Sequence, residues 1–296
     1  MAHSVITLVN VVQGIWCRAA RSCIVVSGCL KGEPVNLKGA GYVSEELKGT
    51  TAMVTGASSG IGEATAIAFA AMGAKVALVA RRADRLRALA IKIEAGGGEA
   101  LAIEADITVE EKAREAVDRT ASEFGSLDTL INNAGVMLLG PIINAPLEEW
   151  RRMININVMG LLYCTHAALP HLLKAAKDSP RRVADLVNIS SVAGRTARRG
   201  AGVYNATKHA VGAFSESLRQ ELSDQHVRVS LVEPGAVATE LGSHNRPEIQ
   251  EQLQARFGHI ERMQSDDIAR AIAYIVSQPR HVAINELLVR PTEQEL

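Results

Sequence analysis

The chain has 296 residues, 47% of them hydrophobic and 3% aromatic, and its 32 basic and 32 acidic side chains cancel. That length and apolar content suffice for one sizeable core. Balanced charge and so few aromatic rings exclude the basic face and stacking platform of a nucleic-acid-binding protein, so no nucleic-acid partner is expected.

Residues 1–42 differ from the rest of the chain. Val5–Val12 and Ile24–Val26 are apolar, but Arg18 and Arg21 lie between them. No run reaches the ~18 apolar residues of a membrane span, and no membrane association is expected. The absence of acids before Glu33 leaves open a signal- or transit-peptide reading, although no small-residue cleavage site follows a continuous apolar region. The better reading is a poorly ordered extension of one domain over residues 43–296. Val43-Ser44-Glu45-Glu46-Leu47-Lys48-Gly49 reads as the start of that domain. A GTG codon at Val43 would permit initiation there, in which case residues 1–42 would not be part of the native protein. Cys17, Cys23 and Cys29 match no common metal-site spacing, no CxxC is present, and no metal is expected. Cys164 sits among apolar residues as a small hydrophobe. This usage suits a reducing compartment and a cytoplasmic location.

From Thr50 onward apolar runs alternate with helical patterns. Strands are expected at Ala52–Thr55, Val76–Ala80, Ala100–Ala105, Thr129–Asn132, Ala184–Ile189, Val227–Val232 and Glu286–Val289. After the first strand, Ala64, Ile67, Ala68 and Ala71 are spaced as one helix face of small residues, with Gly73 as a stop signal. Pro146–Lys177 reads as a long helix that Pro170 should bend or break, and Tyr204–Leu222 as another. Such alternation means βαβ units, a parallel sheet and a doubly wound α/β, Rossmann-type domain with helices on both faces.

The first turn is Thr55-Gly56-Ala57-Ser58-Ser59-Gly60-Ile61-Gly62. Gly56, Gly60 and Gly62 permit a tight turn and a close approach of backbone to a pyrophosphate at a helix N-terminus, and Ser58 and Ser59 add hydroxyls. An ordinary tight turn is the plainer alternative; a strand before it and a helix after it favour the cofactor. Arg81 and Arg82 follow the second strand, where an NAD site usually has an acid for the ribose hydroxyls. Two guanidiniums suit a 2′-phosphate instead, which favours NADP(H), against the alternative of a solvated helix start. Asp106 ends the third strand, either as a turn residue or as a hydrogen-bond partner for adenine, with Ile107 beside it. Asn132-Asn133-Ala134-Gly135 ends the fourth, where small residues let a cofactor lie against the backbone.

Tyr204 and Lys208 are four residues apart on a helix and share a face. A nearby ammonium favours the phenolate and should lower the tyrosine pKa, making an acid/base pair for a carbonyl or alcohol. Ser191, thirteen residues upstream at a strand end, can bond the same oxygen. YxxxK alone arises by chance on many helices; its order and spacing after the glycine turn and NNAG give it weight.

TGASSGIG, NNAG, Asn157 in NVMG, Ser191 in NISS, YNATK and Pro234-Gly235 together resemble the short-chain dehydrogenase/reductase family over essentially all of 46–296. The resemblance implies a seven-stranded parallel sheet and an Asn157–Ser191–Tyr204–Lys208 tetrad. It implies that Asn157 holds a water linked to Lys208, that Ser191 orients the substrate oxygen and that Tyr204 is the acid/base. It further implies that Lys208 binds the nicotinamide ribose and that Ile61, Pro234, Gly235, Val237 and Thr239 help line the cofactor site. VMLLGP, ALPHLL, FSESLRQEL and LLVRPTEQ are similar to a narrower branch, the clavulanate-pathway aldehyde reductase and the NADP-dependent 3-hydroxy acid (serine) dehydrogenases. On resemblance alone a homodimer or homotetramer is expected, paired through helices near 146–170 and 204–222.

Substrate choice should lie in Met137–Leu139, the loop Val192–Val203 and a polar, lid-like segment Glu240–Met263. Arg195, Arg198 and Arg199 precede Tyr204 and could hold a carboxylate, though a solvated loop or subunit contact explains them as well. The expected activity is NADP(H)-dependent hydride transfer with a small aldehyde, ketone or 3-hydroxy acid, an oxidoreductase acting on CH–OH groups. A non-catalytic NADP-binding regulator on the same scaffold is the alternative, and a redox step within an epimerisation or dehydration is a third reading.

Overall fold

The computed structural model describes residues 46–295. The expectations for the 1–42 extension, its three cysteines and the lead-in 43–45 fall outside the described residues. Seven strands, β1 (Thr51–Thr55), β2 (Lys75–Ala80), β3 (Glu99–Glu104), β4 (Thr129–Asn132), β5 (Ala184–Ile189), β6 (Val227–Pro234) and β7 (Glu286–Val289), form one sheet. Their order is β3-β2-β1-β4-β5-β6-β7 and every neighbouring pair is parallel. All seven expected strands are present, with ends displaced by a residue or two.

Among the described residues the eight α-helices are α1 (Gly60–Ala71), α2 (Ala83–Ala95), α3 (Glu110–Phe124), α4 (Leu147–Ile154), α5 (Leu161–Asp178), α6 (Gly202–Leu222), α7 (Pro247–Phe257) and α8 (Ser265–Ser277). Strand alternation divides the core in two. Met53 packs with Ala113 and Val117 of α3, Cys164 and Leu172 of α5 and Leu218 of α6. Its neighbours Ala52 and Val54 point to the other face, among Phe69 of α1, Leu86 of α2 and Ile272 of α8. Both faces of the sheet are covered, which is why the central strands read as unbroken apolar runs. Cys164 is a buried free thiol, pushed up to about 12 by its burial.

Two expectations are corrected. The buried side of α1 is Gly62, Thr65, Ala66 and Phe69 with Ala64, whereas Ile67 and Ala68 are half-buried and Ala71 is exposed. This helix is apolar nearly all round, so spacing alone allows several faces; packing against both the sheet and α8 selects the one with Phe69. In the long helical span, Pro170 lies inside α5 without ending it, and the irregularity is a π-helical turn at Asn155–Gly160. Leu147–Asp178 is long and apolar enough in composition to cross a membrane, yet its Cys164, Ala168, Leu172 and Ala175 stripe is sheet core.

At the N-terminal ends of the strands, Asp185 is held by Arg228 through Nε at 2.7 Å and a second nitrogen at 3.0 Å, and by Arg181 at 3.1 Å. Arg228 also donates to the carbonyls of Val276 and Val282, tying the end of α8 to the sheet. Removing one partner of such a buried pair strands the other charge. Asp185→Asn is expected to lower stability by about 3 kcal/mol and Tm by roughly 10 °C. Turnover at 25 °C should be unchanged, because the pair lies at the opposite ends of the strands from the site; calorimetry beside an activity assay checks both.

Candidate active site

The strand order reverses between β1 and β4, and a crevice opens at their C-terminal ends, where open α/β sheets take their ligands. Thr55 closes its floor. Its hydroxyl accepts from the backbone N–H of Asn133 (3.0 Å) and Ala134 (3.1 Å) and donates to the carbonyl of Ile131 (3.2 Å). The Asn133 amide returns a bond to the Thr55 carbonyl at 2.9 Å. Asn133 is therefore a strut beneath the glycine turn as well as part of the crevice wall.

Gly56 has a φ of +67°, and a Cβ there would meet the backbone of Ala134 at 2.8 Å. A Cβ on Gly62 would stand 2.4 Å from the Gly56 carbonyl. The first turn of α1 can thus lie flat against the loop only without side chains, which leaves its N–H groups open to an anion.

The crevice is part of a cavity of about 500 Å³. Of the expected catalytic and cofactor-binding residues, all but Gly62 and Asn157 line it, including Ser58, Ser59, Gly60, Arg81, Arg82, Ile107, Gly135, Pro234, Val237 and Thr239. Gly62 is packed under the turn. Asn157 sits one layer back in the π-helical turn, where its amide and Val136 exchange bonds of 2.9 and 2.8 Å and it donates to Thr207 at 3.1 Å. Single π turns recur at functional sites because they turn one side chain off the regular helix face. Asp106 does line the cavity, but its carboxylate accepts from the Thr108 N–H at 3.0 Å and hydroxyl at 2.8 Å, the turn-residue reading.

Arg82 donates to Ser58 (3.1 Å), to Ser59 (2.6 Å) and to Glu240 (2.9 Å). Glu240 also pairs with Arg85 at 2.6 Å, and the two guanidiniums pull its carboxyl down to about 2, Arg85 acting most strongly. This role of Glu240 is not legible in the chain, because nothing in the local sequence connects it to arginines some 155 residues away.

Tyr204, Lys208 and Ser191 converge where β5 ends and α6 begins, each less than 10% exposed. Lys208 donates to the Ile189 carbonyl at 2.8 Å and lies 5.9 Å from the Tyr204 ring centre. Thr207 donates to the Tyr204 carbonyl at 2.8 Å, and Ser190 to that of Lys208 at 3.1 Å. Both residues lie inside the YNATK and NISS segments, yet only the fold shows that they fix the helix. Burial pushes the Tyr204 phenol up to about 12, with a Ser191 hydrogen bond acting in the opposite sense, and pushes Lys208 down to about 8. The expected lowering of the tyrosine by its lysine is therefore not what the fold produces: desolvation disfavours both charged forms and dominates. Such a phenol holds its proton at neutral pH, which suits donation to a carbonyl oxygen.

Arg195, offered from sequence as a carboxylate holder, is bound to Glu233 at 2.6 Å and to Glu286, and is absent from the cavity wall. Arg198 and Arg199 do line it.

The short chain dehydrogenase family model matches residues 50–250. The chain belongs to the short-chain dehydrogenase/reductase family. An uncharacterised oxidoreductase of Staphylococcus saprophyticus is 35% identical over 254 residues, 84% of this chain and 99% of that protein. The glycine betaine reductase of Emericella nidulans is 36% identical over 91% of this chain but only 21% of its own length. Among solved structures, serine dehydrogenase in its closed form with NADP+ shares 31% identity and a TM-score of 0.76 over 83% of this chain and 97% of that one. A 3-ketoacyl-(acyl-carrier-protein) reductase from Brucella melitensis with NADH shares 30% identity and a TM-score of 0.72, over 82% and 98%. This short-chain dehydrogenase/reductase is an NAD(P)-binding oxidoreductase.

Lys208 permits a test of what its burial is for. Folding lowers its pKa from 10.5 to about 8, so between those values the unfolded chain binds more protons and this group's contribution to stability rises with pH. At neutral pH the buried ammonium costs stability. Lys208→Met should then leave Tm unchanged or higher while activity falls about 100-fold or more. In the wild type, carbonyl reduction should hold steady up to about pH 8 and decline above it as Lys208 loses its charge. Thermal melts and a pH–rate profile check the two halves.

Proposed function

We propose that this enzyme uses NADP(H) to interconvert a small carbonyl compound and its alcohol, with Tyr204 as the acid/base. The observation that carries the reading is the convergence of a buried Tyr204, Lys208 and Ser191 on one wall of a cavity whose other end is a glycine-rich turn with no room for a Cβ at Gly56 or Gly62. The residues present fit the cofactor. Gly56 and Gly62 leave the backbone cradle that a pyrophosphate requires, and Arg81 and Arg82 stand at the end of β2, where a 2′-phosphate would be met. When bound, the nicotinamide supplies or accepts the hydride at the substrate carbon.

The chain's own groups manage the proton. Tyr204 gives its phenolic proton to the carbonyl oxygen during reduction and takes it back during oxidation. The Ser191 hydroxyl bonds the same oxygen and fixes its position. The ammonium of Lys208 stabilises the phenolate left behind, which lowers the barrier because burial has removed the water that would otherwise solvate it. Lys208 then returns a proton to the phenolate, and Asn157, bonded to Thr207 and Val136, serves to hold a water that resupplies Lys208 from solvent. A non-catalytic regulator would have no use for a buried ammonium beside a buried phenol, since both cost stability and neither is needed to hold a nucleotide.

Two substitutions test this. Tyr204→Phe should reduce kcat/KM for any accepted carbonyl about 100-fold or more, with NADPH affinity within a factor of about three, since it removes the proton donor and keeps the ring packing. Arg82→Ala should weaken NADPH binding about 10- to 100-fold and leave NADH binding nearly unchanged; fluorescence titration of both cofactors decides it. Equal losses for the two would sink the 2′-phosphate reading.

A further inference from the structure

The cavity wall carries seven arginines but only two carboxylates, Asp106 and Glu240. Glu240 is already engaged by Arg82 and Arg85, and Asp106 is turned to Thr108. Other arginines near the substrate end are matched: Arg195 with Glu233 and Glu286, and Arg246 with Glu149 and Glu248. Of the cavity's arginines, Arg81, Arg152, Arg198, Arg199, Arg256 and Arg262 have no carboxylate partner among the described residues, and Arg198 and Arg256 are two of these whose charges act on each other. Burial, and after it the positive charges of Arg256 and Arg290 nearby, weaken the hold of Arg198 on its proton. Uncompensated guanidiniums that repel one another across a cavity are stabilised by an anion placed between them.

Cofactor phosphates do not account for this pair. The 2′-phosphate arginines stand at the end of β2 and the pyrophosphate cradle at the end of β1, whereas Arg198 lies in the loop after β5. Three strand spacings separate β2 from β5, roughly 14 Å. Arg198 is instead fastened to the reacting end. Asn205, buried and adjacent to Tyr204, accepts from the Arg198 backbone N–H at 3.2 Å and donates to the carbonyls of Ala193 (2.7 Å) and Thr196 (3.1 Å). The loop is thus riveted to the helix that carries the phenol. Arg256 approaches from α7, in the segment after β6 that covers the cavity.

We propose that the substrate carries an anionic group, a carboxylate or a phosphate, and that Arg198 from the β5–α6 loop and Arg256 from α7 clamp it while its carbonyl faces Tyr204. The inference rests on the redox reading above and assigns its substrate class.

The test measures NADPH-dependent turnover on two pairs of aldehydes, succinic semialdehyde against butanal and glyceraldehyde 3-phosphate against glyceraldehyde. Wild type, Arg198→Gln and Arg256→Gln are compared, with NADPH affinity measured separately. The wild type should prefer an anionic member by about tenfold or more, and each variant should lose about tenfold or more on that member alone. Which pair responds distinguishes carboxylate from phosphate. No preference, equal losses on charged and neutral members, or a parallel loss of NADPH affinity would overturn the clamp. If no aldehyde is reduced, the redox reading fails independently. Calorimetric titration of malonate and inorganic phosphate then decides the clamp, using the NADPH complex or, if NADPH does not bind, the free protein. Binding that disappears in Arg198→Gln supports it, and absence of binding in the wild type overturns it.

Discussion

The hydroxyl of Thr55 joins the two strands at which the sheet changes direction, and the site is arranged around that junction. With β1 and β4 held side by side at their C-terminal ends, the glycine turn and the NNAG segment face each other across one crevice. Asn133 then props the turn from below, and α1 closes against it only because Gly62 has no side chain. The N-terminus of α1 is left pointing into the crevice. Each of these contacts is short and at least partly buried, so the geometry of the glycine turn is built into the sheet.

The reacting end is arranged by the same logic at greater energetic cost. Tyr204 and Lys208 are buried within one turn of α6, and burial works against the charged form of each. A fold under selection for stability alone would place apolar side chains there. Holding them instead are Thr207, Ser190, Asn157 and the Ile189 carbonyl, which satisfy the backbone and the ammonium and fix the helix against β5. The π-helical turn at Asn155–Gly160 belongs to this arrangement, since it delivers Asn157 to Val136 and Thr207.

Charge on the cavity wall follows from pairing and not from composition. The chain is neutral overall, yet the cavity is strongly cationic because the acids that would balance it lie elsewhere or are already engaged. Arg195 and Arg198, three residues apart, illustrate the difference. One is neutralised by a buried Glu233 at the end of β6, and the other is held in the wall by a backbone bond to Asn205.

Residue order by itself determined the fold class, the seven strands, the glycine turn and the Tyr204–Lys208 pair. These are local signals: apolar runs four to eight residues long, glycines where a turn demands them, and two side chains one helical turn apart. Tertiary structure alone decided the rest. The face of α1 that is buried depends on the sheet and α8, since the helix is apolar nearly all round. The long span changes from α to π geometry at Asn155–Gly160, where Asn157 is bonded to Val136 and Thr207, whereas Pro170 does not end the helix. The phenol is raised and not lowered because burial outweighs the Ser191 hydrogen bond. Glu240 meets Arg82 and Arg85, and Arg256 faces Arg198, only once the chain has brought residues separated by 155 and 58 positions together. Pairing, burial and pKa are properties of three-dimensional neighbours, and a linear spacing carries them only when the neighbours are also close in sequence.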